Sequence, residues 1–117
     1  MEVLGIWVDA DRRTLWAATG EGEFREPLDG PPRRNELVRY DLVTARLNGR
    51  WPIPDDELRL LNDVATGPDG TAWATDTVRG ELFRVGPDDE LELFHRYPDL
   101  VFLNGIAVSP DDGAIYL

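Results

Sequence analysis

Apolar and polar residues alternate along most of this chain with the two-residue period of a β-strand, as where Leu37 and Arg39 stand against Val38 and Tyr40. The one stretch of helical composition, "DDELRLL" (55–61), is too short to be stable alone. Three segments align: "GIWVDADRRTLWAAT" (5–19), "DVATGPDGTAWATD" (63–76) and "GIAVSPDDGAIYL" (105–117). Each has a short apolar strand, an acidic turn, and a strand centred on an aromatic residue: Trp16, Trp73 or Tyr116. In "GPDG" and "SPDDG" proline and glycine supply the fixed and the positive φ that tight turns need. A second unit recurs as "ELVRYDLVTARLNGRWP" (36–52) and "ELFRVGPDDELELFHRYP" (81–98).

The predicted order is four strands, then four strands again, an all-β chain with the repeat length of a β-propeller blade. One partial propeller domain over 1–117 is expected. It comprises a blade at 5–52 carrying an exposed loop insertion at 20–34, a blade at 62–98 and a half blade at 104–117. Two and a half four-stranded blades leave the ring open. The expectation is a piece of a longer protein, with self-association of the chain as the alternative.

Charge and composition narrow the chemistry. A net charge of −11, from 23 acids against 12 bases, repels phosphate backbones, so nucleic acid is not an expected partner. No apolar run is long enough for a transmembrane helix, and "MEVLGIWVD" lacks the basic and apolar regions of a signal peptide. A cytoplasmic chain without membrane contact is therefore expected. There is no lysine and no cysteine, which removes Schiff-base and thiolate chemistry. Ser109, the only serine, precedes a proline in a turn, outside any nucleophile-elbow setting that would pair it with His95, the only histidine. Carboxylates, amides and an oxygen-bound hard metal ion remain.

Asn62 and Asn104 each stand one residue before the innermost strand of their blades, so in a propeller both amides face one mouth of the central channel. They could ligate calcium or hold a substrate oxygen, or simply cap turns. Asp63 reads either as a ligand or base at the same mouth, or as a strand-start carboxylate satisfied by backbone N–H groups. Asp9, Asp69 and Asp111 read as turn formers, and Asp76 as a structural residue bonded to the turn after it. His95 falls on an outermost strand. Trp16, Trp73 and Tyr116 read as core between blades, and "DGPPRR" (29–34) as solvated loop.

The stretches "LLNDVATGPDGTAWATDTVRGELFRV" and "LNGIAVSPDDGAIYL" resemble the senescence-marker-protein/gluconolactonase/luciferin-regenerating-enzyme family, whose Asn-Asp motif is followed one blade later by Asn-Gly-Ile-Ala-x-Ser-Pro-Asp. The resemblance covers nearly the whole chain and implies part of a six-bladed propeller. It implies hydrolysis of lactones or related esters at a divalent metal in the channel, usually calcium, with zinc, magnesium or manganese as alternatives. It places Asn104 as metal ligand and Asn62 as metal or substrate contact, and calls for a carboxylate as general base, a role for which Asp63, read above as a ligand or base, is the catalytic candidate. The family's metal site also uses a glutamate and an aspartate from blades that this chain does not match, and Glu2 is not in the expected Glu-Gly-Pro setting. Sugar-lactonase members carry arginine two residues before the asparagine of the Asn-Asp motif. Leu60 stands there in this chain, beside Arg59, which points away from sugar lactones and toward a more apolar substrate. The competing reading is a non-catalytic binding or scaffold propeller of the NHL kind.

Overall fold

The computed structural model describes residues 1–21, 30–100 and 102–117. Among them there are ten β-strands and no helix. β1 (Glu2–Asp9), β2 (Thr14–Gly20), β3 (Asn35–Asp41) and β4 (Leu47–Ile53) form one antiparallel sheet in sequence order. A second sheet holds β5 (Leu61–Thr66), β6 (Ala72–Asp76), β7 (Glu81–Val85) and β8 (Leu91–Arg96), again in order. β9 (Ala107–Val108) and β10 (Ile115–Tyr116) pair as a short hairpin. The sheets thus begin and end within a few residues of the expected units. Eight residues of the 20–34 insertion, 22–29, lie outside the described residues. The "DDELRLL" segment is irregular.

Register is set alike in all three. Trp7 faces Trp16 in the first sheet, Ala65 faces Trp73 in the second, and Ala107 faces Tyr116 in the hairpin. Side chains alternate across a strand, so fixing one pair fixes which residues share each face. The main core is the junction of the first two sheets. Trp16, Ala18, Leu37, Trp51 and Ile53 pack there against Leu61, Val64, Ala72, Ala74, Phe83 and Val85. Trp16 and Trp51 stack at 5.0 Å, the offset arrangement that aromatic quadrupoles favour. A smaller cluster of Ala65, Leu82 and Ile106, with Trp73, Val108 and Ile115 against it, joins the second sheet to the hairpin.

A polar clasp closes the outer side of the first junction. Arg39 lies over the rings of Trp16 and Trp51 and donates to Asp89 at 2.8 Å, while Trp51 Nε1 donates to the Asp89 carbonyl at 2.7 Å. Trp16 is buried and Trp73 half-buried as expected of core, but Tyr116 is 64% exposed. No described residues cover the hairpin as the second sheet covers the first.

Candidate functional site

At the start of β5, Asn62 and Asp63 run beside the 103–106 segment that leads into β9, and two threonines, Thr75 in β6 and Thr77 in the turn after it, tie them together. Asn62 Nδ2 donates to Thr77 Oγ1 at 2.8 Å, and that hydroxyl donates to the Leu103 carbonyl at 2.7 Å. The Asp63 N–H donates to Thr75 Oγ1 at 3.2 Å, and Thr75 donates to the Asn104 carbonyl at 2.8 Å. A hydroxyl both donates and accepts, so each threonine can bridge two chain segments at once. With Nδ2 of Asn62 committed, its Oδ1 is the atom on offer as acceptor or ligand. Asn104 is exposed beside it, held by its backbone carbonyl.

Asp63 has both carboxylate oxygens on backbone donors, Val64 N–H at 2.9 Å and Ile106 N–H at 3.1 Å. The second bond reaches across to the next unit, so the carboxylate pins the two segments in register. It stands between two glycines. A methyl group on Gly5 would lie 2.5 Å from the Asn62 carbonyl oxygen and 2.7 Å from Asp63 Oδ1, and one on Gly105 would lie 3.9 Å from Asp63 Oδ2. β1 can approach β5 this closely only because residue 5 has no side chain.

Two buried polar residues position the approach to Asn62. Asn35 donates to the Arg59 carbonyl and accepts from the Leu61 N–H, both at 3.1 Å. Asp76 accepts from the N–H groups of Leu60, Val78 and Arg79 at 2.7, 3.2 and 3.0 Å. It therefore bonds the turn after it, as expected, and the chain before Asn62 as well. Burial pushes the Asp76 carboxyl above its ordinary value despite these three donors. Arg59 is turned away from Asn62 into a buried ionic cluster, with Nε on Glu81 at 2.7 Å and Nη1 on Asp56 at 2.7 Å. Arg96 also reaches Glu81, and Arg79 reaches Glu57 at 2.9 Å. This guanidinium is held by the fold, and Leu60 beside it is buried.

The threonines and Asn35 are the residues that sequence patterning missed. The available signal was "TDT" (75–77), where two hydroxyls flank the strand-end aspartate. The other residues singled out fall elsewhere. Asp9 accepts from the Arg12 N–H at 3.0 Å and from Thr66 Oγ1 at 3.1 Å, so it joins turn to neighbouring sheet. Asp69 closes its turn on Thr71 at 3.0 Å. In the hairpin the turn carboxylate is Asp112, accepting from Ala114 at 3.1 Å, while Asp111 contributes its N–H to Ser109 at 3.4 Å. His95 is exposed on β8 against Tyr97.

An open groove of about 360 Å³ lies between Trp7, Asp9, Arg12, Thr66, Pro68 and Val108. It is at the far end of β5 from Asn62, and none of Asn62, Asp63 and Asn104 lines it. Among the described residues no three histidine, aspartate or glutamate side chains come together as a metal site. The adjoining segments carry instead two amides, Asn62 and Asn104, and one carboxylate, Asp63. Comparison with known protein families gives no match, and comparison with curated proteins gives none either.

Proposed function

We propose that the chain is part of a six-bladed β-propeller hydrolase that opens lactones or related esters at a calcium-type metal in its channel. One observation carries this reading. Asn62, the second residue of β5, and Asn104, three residues before β9, lie on segments that Thr77 ties at the Leu103 carbonyl and Thr75 at the Asn104 carbonyl, with Asp63 bridging to the Ile106 N–H. The chemistry of the donor set fits part of a hard-cation site. Amide and carboxylate oxygens suit calcium, magnesium or manganese better than zinc, which favours nitrogen and sulfur. Calcium takes about 6–8 oxygens, so these three residues supply a minority of the shell.

Asn62 and Asn104 would hold the ion through their Oδ1 atoms. Bound there, a divalent cation polarises an ester carbonyl and lowers the pKa of a water. Asn62, its Nδ2 anchored on Thr77, keeps Oδ1 in a fixed direction, which is the preorganisation that such a site needs. Asp63 would take a proton from the attacking water through a lone pair not committed to Val64 or Ile106. Its two backbone bonds, from Val64 N–H and Ile106 N–H, hold it in place. The substrate class is a small lactone or ester of apolar character, because the guanidinium nearest in sequence, Arg59, is locked onto Glu81.

The second reading is a non-catalytic propeller of the NHL kind. It is favoured by the same two backbone bonds on Asp63, which give that carboxylate a sufficient structural role.

Calcium titration followed by amide NMR separates the two. The first reading expects weak binding, with a dissociation constant of about 1 mM or above as in low-affinity extracellular modules. Shifts should centre on Asn62 and Asn104 and vanish in Asn62→Ala and Asn104→Ala. A titration with magnesium, manganese and calcium that moves neither residue would end the metal-hydrolase reading.

A further inference from the structure

We propose that the groove at the far end of β5 from Asn62 binds a small N-methylated ammonium ion against the indole of Trp7. The site is independent of the hydrolase reading, which uses the opposite end of that strand. Three turns meet at the groove: 10–13 between β1 and β2, 67–71 between β5 and β6, and 109–114 between β9 and β10. Its volume, about 360 Å³, is at the small-ligand end of the range for binding pockets. Trp7 and Asp9 alternate with Ile6 and Val8 along β1, so they project toward the second sheet, and both bond Thr66 there. The groove is thus a feature of an internal junction between units.

The polar side chains inside the groove are committed to one another. Trp7 Nε1 donates to Thr66 Oγ1 at 2.9 Å, and that hydroxyl donates to Asp9 Oδ2 at 3.1 Å. Asp9 Oδ1 accepts from the Arg12 N–H at 3.0 Å, and Oδ2 also accepts from Arg12 Nη1 at 3.1 Å. Arg12 Nη2 donates to the Pro68 carbonyl at 2.7 Å. The guanidinium rests against Gly70, where a methyl group would lie 2.4 Å from its Nε. Asp9 is buried, so the charge of Arg12 is met within the fold and leaves no cation free to draw an anion.

What the groove still presents is an aromatic face and one unpaired charge. Trp7 lines it with its N–H already used and is 37% exposed, so the ring is the part available to a ligand. Asp11 lines it too; it is exposed, and its carboxylate bonds to no other described residue. Arg13, the other base of that turn, does not line it, and Pro68, Val108 and Pro110 add apolar walls. An aromatic face beside a carboxylate favours a cation. A primary ammonium carries three donors and would leave them short of partners among side chains already bonded to each other. Methylation removes those donors and adds apolar surface, which suits these walls. The net charge of −11 draws cations from a distance.

The test is NMR titration of the chain with choline, read at the indole N–H signal of Trp7 and the backbone amides of Arg12 and Thr66. The comparison ligands are the neutral isostere in which a tert-butyl group replaces trimethylammonium, the primary amine ethanolamine, and the anion pivalate. Choline should shift these signals with a dissociation constant of about 1 mM, and the other three should bind about tenfold more weakly or worse. Trp7→Leu should weaken choline about tenfold and Trp7→Phe, which keeps a ring face, about threefold or less. Asp11→Asn should weaken it about threefold at low salt, a margin that shrinks as salt rises. Far-UV circular dichroism checks folding; should Trp7→Leu not fold, the exposed Asp11→Asn and the four-ligand comparison still decide. Choline matched by its neutral isostere or by ethanolamine overturns the proposal, as does tighter binding of pivalate. So does the absence of any shift at Trp7 with choline at about fifty times the expected dissociation constant.

Discussion

Replacing Gly5 by alanine tests the closest approach in the fold and the support of the candidate site together. The added methyl would lie 2.5 Å from the Asn62 carbonyl oxygen, 2.6 Å from Asp63 Cα and 2.7 Å from Asp63 Oδ1. Two of those atoms are backbone, and the third is fixed by the Val64 N–H at 2.9 Å, so no side-chain rotation relieves the clash. Overpacking of this kind costs about 1–3 kcal/mol. Alanine in a strand recovers about 0.5–1 kcal/mol of backbone entropy relative to glycine. The net expectation is a loss of about 1–2 kcal/mol. Gly105→Ala is the control on the other side of the same carboxylate. Its methyl would sit 3.9 Å from Asp63 Oδ2, an ordinary contact, so it should be neutral or slightly stabilising. Urea unfolding read by tryptophan fluorescence suits the comparison, because Trp16 and Trp51 stack in the main sheet–sheet core. With m of about 1–3 kcal/mol/M, Gly5→Ala should lower the midpoint by about 0.5–1 M without changing m. Equal midpoints for the two variants would show that β1 does not press on β5 as described.

Arg39→Ala should cost about 1–2 kcal/mol through lost stacking on Trp16 and Trp51, whereas Asp89→Asn should cost under about 0.5 kcal/mol because that half of the pair is solvated; thermal melts compare them. Glu81→Gln should cost about 3 kcal/mol, since it leaves the buried Arg59 without its buried charge partner; urea unfolding measures it. Burial pushes the Glu81 carboxyl up, but the bonds from Arg59 and Arg96 outweigh it and hold the group below its ordinary 4.5. The stability it contributes is therefore present above about pH 4.5 and lost as pH falls through the folded value, so Glu81→Gln should flatten the acid limb of stability against pH. Asp76, raised above 3.8 by burial, works in the opposite sense: its contribution is present at lower pH and lost as pH rises through its folded value. Thr77→Val removes the hydroxyl between Asn62 and Leu103; a loss of about 1–2 kcal/mol and displaced Asn62 side-chain amide signals are expected by NMR.

The sheets were legible because their signal is local. Alternation, the "GPDG" turn and the aromatic at the centre of the second strand each need only a dozen residues of context, and β1 to β8 fall where those cues put them. What lay beyond reach was whatever depends on the neighbouring sheet. Trp16, Trp73 and Tyr116 look alike in sequence, yet one is buried, one half-buried and one exposed, because burial of the second-strand aromatic is decided by the sheet stacked on it. Asp63 shows the same dependence at the site. Its carboxylate was readable as a strand-start acid, but the donor that matters, Ile106, lies 43 positions later and is brought in by the stacking of the hairpin. Thr75 and Thr77 passed unnoticed for a related reason. Hydroxyls at a strand end and in the turn after it are unremarkable until two other segments need the same atom, and only the assembled sheets create that need. The glycines repeat the lesson in reverse. Gly5 and Gly105 hold the same place in sequence, but the first is compulsory because Asn62 and Asp63 press against it, and the second faces enough room for a side chain.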